Sequence, residues 1–123
     1  KALKDDIKKL MSEIKERYKK YTNGKIPVLR GKTIIIVDDG LATGHTMLAA
    51  IKYARSKKPK KLIAAVPVSS QEAYENIKKL ADKIVCLDIP INFFAVGSFY
   101  REFKQLDDKE VISYLEEAKK FAR

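Results

Sequence analysis

The segment Thr33-Ile34-Ile35-Ile36-Val37-Asp38-Asp39-Gly40-Leu41-Ala42-Thr43-Gly44-His45-Thr46-Met47 changes character twice. It opens on a β-branched apolar run with no polar alternation, bounded by Gly31 and Gly40. Such a run predicts a strand buried on both faces, as in a parallel sheet. Two adjacent carboxylates, Asp38 and Asp39, then stand at the strand end, followed by small and hydroxylated residues and the start of a helix. A helix start leaves backbone N–H groups free and carries the positive end of a dipole. Gly44 would let an anion approach that backbone closely, and Thr43 and Thr46 add hydroxyl donors. This is a phosphate cradle. Two carboxylates beside a phosphate repel it unless they face something else; sugar hydroxyls or an ion such as magnesium would suit them. Phosphate, vicinal diol and divalent ion together describe a ribose phosphate. The loop is neither a Walker loop, since no Gly-Lys-Thr/Ser follows a run of four residues after its first glycine, nor a three-glycine dinucleotide fingerprint.

Working outward, Met47, Leu48, Ile51 and Ala54 form a helical stripe that stops near Lys58-Pro59. Leu62 to Val66 predicts a second strand ended by Pro67. Ser69, three residues before Glu72, has capping-box spacing and predicts the N-cap of a helix whose buried face is Ala73, Tyr74, Ile77, Leu80 and Ala81. Ile84 to Leu87 predicts a third strand. Residues 91–106 are apolar and aromatic without a period and predict a short strand or an irregular loop. Asp107, three before Glu110, starts a last helix with the stripe Val111, Ile112, Leu115, Ala118 and Ala122. Upstream, Leu3, Ile7, Leu10, Met11, Ile14, Tyr18 and Tyr21 predict an amphipathic helix over 1–21, ended by Asn23-Gly24. Strands alternating with helices give an α/β fold: a parallel-sheet βαβαβ core with an N-terminal basic helix and a C-terminal helix. Such sheets bind ligands at the carboxyl ends of their strands. Asp38 to Thr46, Pro67 to Ser70, and Asp88 to Phe94 meet there.

The chain has 123 residues and a formal net charge of +10, with 46% hydrophobic and 34% charged residues. This is one folded domain, and disorder is not expected. No apolar run approaches the roughly 20 residues of a membrane span, and no signal peptide is visible. One Cys and one His exclude a disulfide framework and a Cys/His zinc cluster. A cytoplasmic setting is the default. Residues 1–32 hold eleven Lys/Arg against four Asp/Glu, so most of the excess charge sits there. It would attract a polyanion, but no aromatic residues interleave with it as base stacking requires. The run therefore reads as a solvated helix face, and nucleic acid is not the expected partner.

Val37 to Met47 resembles the phosphoribosyl-pyrophosphate (PRPP) binding motif of type I phosphoribosyltransferases: apolar residues, two acidic residues, then a small-residue loop entering a helix. The resemblance extends over residues 30–105. It implies a Rossmann-like phosphoribosyltransferase fold, an acidic pair at Asp38 and Asp39 on the ribose hydroxyls, and a 5′-phosphate loop at Ala42, Thr43, Gly44, His45 and Thr46. Phe93 to Tyr100 is similar to the family's base-side region, which points to Phe93 and Phe94; Asp88, which ends a strand on the same edge, is the third base-side candidate, with a turn-forming role as its alternative. The implied reaction moves the 5-phosphoribosyl group of PRPP to a nitrogenous base through an oxocarbenium-like centre, releasing pyrophosphate. The implied cofactor is Mg2+ brought by PRPP near Asp38 and Asp39, with no direct metal ligands in the chain. The implied partners are PRPP or a nucleoside 5′-monophosphate and a base acceptor, with a homodimer compatible with the family.

Several residues depart from the family pattern. Ala42 stands where hypoxanthine-type members carry Asp, as in adenine-type members. His45 replaces the usual Gly, Ala or Lys and reads as solvent-facing. Ile91 and Asn92 follow Ile-Pro where purine enzymes often place Asp, so the base stays unassigned. No glycine-rich or basic pyrophosphate loop is recognisable in residues 1–32. The expectation is a single, partial domain over 1–123, with a PRPP-binding core at 32–106 and a C-terminal helix at 107–123. It would be the C-terminal part of a phosphoribosyltransferase domain, inactive alone; a diverged homologue lacking that loop is the alternative. Two other functions stay open. A PRPP- or nucleotide-sensing regulator on the same fold would bind RNA through the basic helix in a salt-sensitive way, without turnover. A phosphoacceptor receiver also opens with Asp-Asp at a strand end, but Lys58-Pro59 falls too early for its Lys-Pro and the Ala42–Thr46 loop has no role in it. Cys86 reads as an inert thiol. The aromatic residues from Phe93 to Phe103 read mainly as core or interface.

Overall fold

The computed structural model describes residues 5, 8, 9, 12, 13, 16, 19–22, 25 and 27–121. They fall into two compact units, residues 28–103 and residues 1–27 with 104–123.

In the first unit, β1 (Thr33–Val37), β2 (Lys61–Val68) and β3 (Lys83–Asp88) form a parallel sheet in the order β1-β2-β3. Helices α1 (His45–Ser56) and α2 (Gln71–Lys78) connect them. Both crossovers step the same way across the sheet, so right-handedness puts both helices on one face. Met47, Ile51 and Ala54 of α1 and Ala73 and Ile77 of α2 meet Leu62, Ala64 and Val66 of β2 in one core, flanked by Ile34, Ile36, Ile84 and Cys86. Fully burying a Leu, Ile or Met contributes about 1.5–3 kcal/mol. Ala54, Ala64 and Ala73 leave room for the helices to sit close to the strands. At the edge remote from the site, Asp82 accepts from the Leu62 N–H at 2.7 Å and pairs with Arg55 at 3.1 Å. α1 is capped at Lys57 and followed by Lys58, which takes φ 57° ahead of Pro59.

Three expectations are corrected. β1 is not buried on both faces: Ile35 and Val37, which point away from the helices, are 60% and 73% exposed, as are Val85 and Leu87 on β3 at 40% and 81%. An unbroken apolar run carries no sign of which face is covered. Pro67 does not end β2, which runs to Val68. The β1 register stops at Val37 opposite Ala65, so no β1 partner requires an N–H from Pro67. The N-cap of α2 is Ser70, not Ser69; its hydroxyl accepts from the Ala73 N–H at 3.2 Å. Ser69 is instead fully buried and donates to the Ser70 carbonyl at 2.8 Å. Residues 91–106 form an irregular segment with one 3₁₀ turn, Val96–Phe99.

In the second unit, helix α3 (Asp108–Lys119) starts with a full capping box between Asp107 and Glu110, as the spacing predicts. Described positions between Asp5 and Thr22 are helical. The Tyr21 hydroxyl donates to Asp108 Oδ1 at 2.8 Å, and Lys20 pairs with Oδ2 at 3.3 Å. Leu3, Ile7, Leu10, Met11, Ile14, Tyr18, Asn23, Gly24 and Ala122 lie outside the described residues. Among the described residues, no helix is long and apolar enough to cross a membrane.

Candidate functional site

The chain leaves β1 at Val37 and does not wander before α1. Leu41 interrupts the loop and is 2% exposed, its side chain in the core. It forms an isolated parallel bridge to Ser69, donating its N–H to the Val68 carbonyl at 3.0 Å. The Ser70 N–H donates back to the Leu41 carbonyl at 2.9 Å, and the Ser70 hydroxyl donates to the Ala42 carbonyl at 2.8 Å. The loop is thereby split into two pinned halves, an acidic turn at 38–40 and a small-residue turn at 42–46.

In the acidic half, the Asp39 N–H donates to Asp38 Oδ1 at 2.8 Å. The Asp39 carboxyl is raised above the usual carboxylate range. Partial desolvation is the main cause, followed by the hydrogen bond and charge of Asp38; the Asp39 and Gly40 N–H groups oppose the shift. The pair thus carries unrelieved negative charge, which hydroxyl donors or a cation would offset. Gly40 is held by packing: an added Cβ would lie 2.8 Å from both Val96 methyls and 3.0 Å from Val68.

In the small-residue half, Gly44 is the N-cap of α1 at φ 81°, a conformation that favours glycine. α1 has no side-chain cap and no acidic residue in its first turn. By contrast α2 is capped by Ser70, with Glu72 in its first turn, and α3 by Asp107. The first N–H groups of α1 are left for something else, apart from a long 3.4 Å contact of His45 N–H to Thr43 Oγ1.

Both halves line one open cavity of about 340 Å³, formed by Asp38 through Met47 and by Val96. Asp38, Asp39, Ala42, Thr43, Gly44, His45 and Thr46 are therefore brought together. Asp88, Phe93 and Phe94 do not line it. Asp88 ends β3 and uses its carbonyl to accept from Ser69 N–H at 3.1 Å. Phe93 stacks on Phe99 at 5.3 Å, and Phe94 is exposed. His45 is exposed. A second hollow of about 580 Å³ lies between α1 and α2 and shares Ala42 to His45, but it lacks the acidic pair. Cys86 is half-buried, and burial pushes its thiol up, which disfavours the nucleophilic thiolate.

Within the segments that the sequence places at this edge, the structure adds individual contacts that the sequence does not mark. Ser70 and Leu41 pin the loop, Val96 closes on Gly40, and the Tyr100 hydroxyl donates to the Asp39 carbonyl at 2.6 Å. For Ser70, no Glu or Gln stands three residues on, so the capping-box spacing falls on the neighbouring Ser69 instead. Tyr100 lies 61 positions from Asp39 and carries no local signal.

Residues 4–103 match the phosphoribosyl transferase domain family. Relatives in two strains of Mycobacterium tuberculosis carry names that assign them provisionally as phosphoribosyl transferases. Each is 40% identical over 113 residues, covering 90% of this chain and 25% of its own length. The chain thus spans about a quarter of the length of the curated relatives it matches. The crystal structure of TT1426 from Thermus thermophilus is similar with a TM-score of 0.79 and 34% identity, over 86% of this chain and 51% of that one. With a parallel α/β core, an acidic strand end and a family match from residue 4 to residue 103, this chain belongs to the phosphoribosyl transferase family.

Proposed function

We propose that the 340 Å³ cavity binds the 5-phosphoribosyl half of PRPP, and that the chain contributes this half-site to transfer of the group onto a nitrogenous base. The observation that carries the reading is the uncapped N-terminus of α1 in the same cavity as the charged pair Asp38 and Asp39. The N–H groups at 44–46 and the hydroxyls of Thr43 and Thr46 would hold the 5′-phosphate. The carboxylates would accept from the ribose hydroxyls and fix the ring.

In the transfer, the bond from ribose C1 to a pyrophosphate oxygen breaks and a bond from C1 to a base nitrogen forms, with the nitrogen's proton lost. Positive charge develops at C1, and negative charge at Asp38 and Asp39 stabilises it at no reorganisation cost. Orientation of the sugar supplies the rest.

The acidic pair also fits magnesium. Its donors are hard carboxylate oxygens. Among the described residues no cluster of three or more His, Cys, Asp or Glu could cage an ion. An ion here would take one or two carboxylates and complete its shell from substrate oxygens and water, the usual arrangement for magnesium. When bound, it would offset the charge of the departing pyrophosphate.

The sequence shows no recognisable pyrophosphate loop in residues 1–32, so binding and turnover should separate in this chain. The test is a pyrophosphate-release assay with PRPP, magnesium and a panel of purines and pyrimidines, run beside a phosphate titration by NMR. Shifts confined to 42–46, with turnover below roughly 0.1 per second, are expected, because lost leaving-group contacts cost about 10² or more in rate. Absence of shifts at 42–46 would overturn the phosphate assignment.

A further inference from the structure

Tyr100 reaches the acidic turn from the irregular segment after β3. Its hydroxyl donates to the carbonyl oxygen of Asp39 at 2.6 Å. Its ring rests on Phe103, with centroids 5.1 Å apart. Phe103 in turn packs so closely on Gly97 that an added Cβ would lie 2.7 Å from the ring. The segment is thus braced against itself, and the Tyr100 hydroxyl is delivered from a fixed base.

The peptide it grips has a second role. The Asp39 carbonyl and the Gly40 N–H belong to one rigid plane. The Gly40 N–H opposes the upward shift of the Asp39 carboxyl. Holding the oxygen of the plane holds the Asp39 backbone from which the carboxyl branches, and the Gly40 N–H with it. Both acidic groups act on the Tyr100 hydroxyl: burial first, then the charges of Asp39 and Asp38, keep it protonated and so able to donate. Val96, from the same segment, packs where a Cβ of Gly40 would lie. The segment thus holds the turn by a hydrogen bond at Asp39 and by packing at Gly40.

We infer that Tyr100 is a positioning residue that orients the Asp39 carboxylate for ribose hydroxyls, through the Asp39–Gly40 peptide, and does not serve the phosphate turn. The inference rests on the proposed ribose site. It separates two ligands that differ by the sugar alone: ribose 5-phosphate uses both halves of the loop, and inorganic phosphate uses 42–46.

The experiment is calorimetric titration of the full chain and of Tyr100→Phe with ribose 5-phosphate and with inorganic phosphate, both in magnesium. Tyr100→Phe keeps the ring on Phe103 and removes one donor. Loss of a single hydrogen bond predicts a fall of about 3- to 10-fold in ribose 5-phosphate affinity, with phosphate affinity within about twofold of the unaltered chain. A general loosening of the fold would lower both affinities together. That result, or an unchanged preference for ribose 5-phosphate, overturns the role of Tyr100 while leaving the ribose site standing. If the unaltered chain binds ribose 5-phosphate no more tightly than phosphate, the ribose site itself fails and the role of Tyr100 fails with it.

Discussion

The Ser70 hydroxyl donates to the Ala42 carbonyl at 2.8 Å, joining the N-cap of α2 to the phosphate turn. The same oxygen accepts from the Ala73 N–H at 3.2 Å. Ser70→Ala removes both bonds. A lost cap costs about 0.5–2 kcal/mol and a lost hydrogen bond about 0.5–1.5 kcal/mol. Urea denaturation should show a loss of roughly 1–3 kcal/mol, and phosphate affinity should fall as the turn loosens. Unchanged stability would mean that Ser70 caps nothing.

Gly44 and Thr46 separate backbone from side-chain binding. Gly44 holds φ 81°, and Gly44→Val both strains that conformation and presses a branched group against Ala73 and Ile77 of α2, which displaces the turn that carries the free N–H groups of α1. Thr46→Ala removes one hydroxyl, worth about 0.5–1.5 kcal/mol net. Phosphate titration of the two variants, compared at matched folded fraction, should show the larger loss in Gly44→Val. Equal losses would argue against a backbone cradle.

Two aspartates predict opposite dependences of stability on pH. The Asp39 carboxyl is raised by desolvation and by Asp38. Between the unfolded value of about 3.9 and its raised folded value, the native state binds more protons than the unfolded chain. Stability therefore falls as pH rises through that window. Asp39→Asn should be the more stable protein at pH 7 and lose that advantage at pH 3. The Asp82 carboxyl is lowered by its bond to Arg55 and by the Leu62 N–H. Its contribution is full above about pH 3.9 and is lost as pH falls through its lowered folded value. Asp82→Asn should be less stable at pH 7, with the gap closing toward pH 2. Urea midpoints at pH 2, 3, 5 and 7 check both signs.

These positions also mark how far the sequence could be read. The run Thr33–Val37 and the acidic pair after it were legible because strand propensity, strand end and helix start are local signals. The capping box at Asp107 and Glu110 was legible for the same reason. Ser69 and Ser70 are adjacent and chemically alike, and only the direction of the chain at the end of β2 decides which one caps α2. Pro67 gives a false strand end in the sequence because its effect on a strand depends on where the neighbouring strand stops. The exposed face of β1 and the reach of Tyr100 to Asp39 depend on contacts between distant segments. Neither leaves a mark in spacing or composition.

The central claim is that Asp38 and Asp39 receive the sugar of a ribose phosphate beside the α1 cradle. Calorimetric titration of PRPP with magnesium into the unaltered chain and into Asp38→Asn/Asp39→Asn tests it most directly. The substitutions keep size and remove charge at a strand end outside the core. The account predicts a loss of tenfold or more in PRPP affinity, about 1.4 kcal/mol, with inorganic phosphate binding retained and the urea midpoint not lowered. PRPP affinity within twofold of the unaltered chain would contradict it.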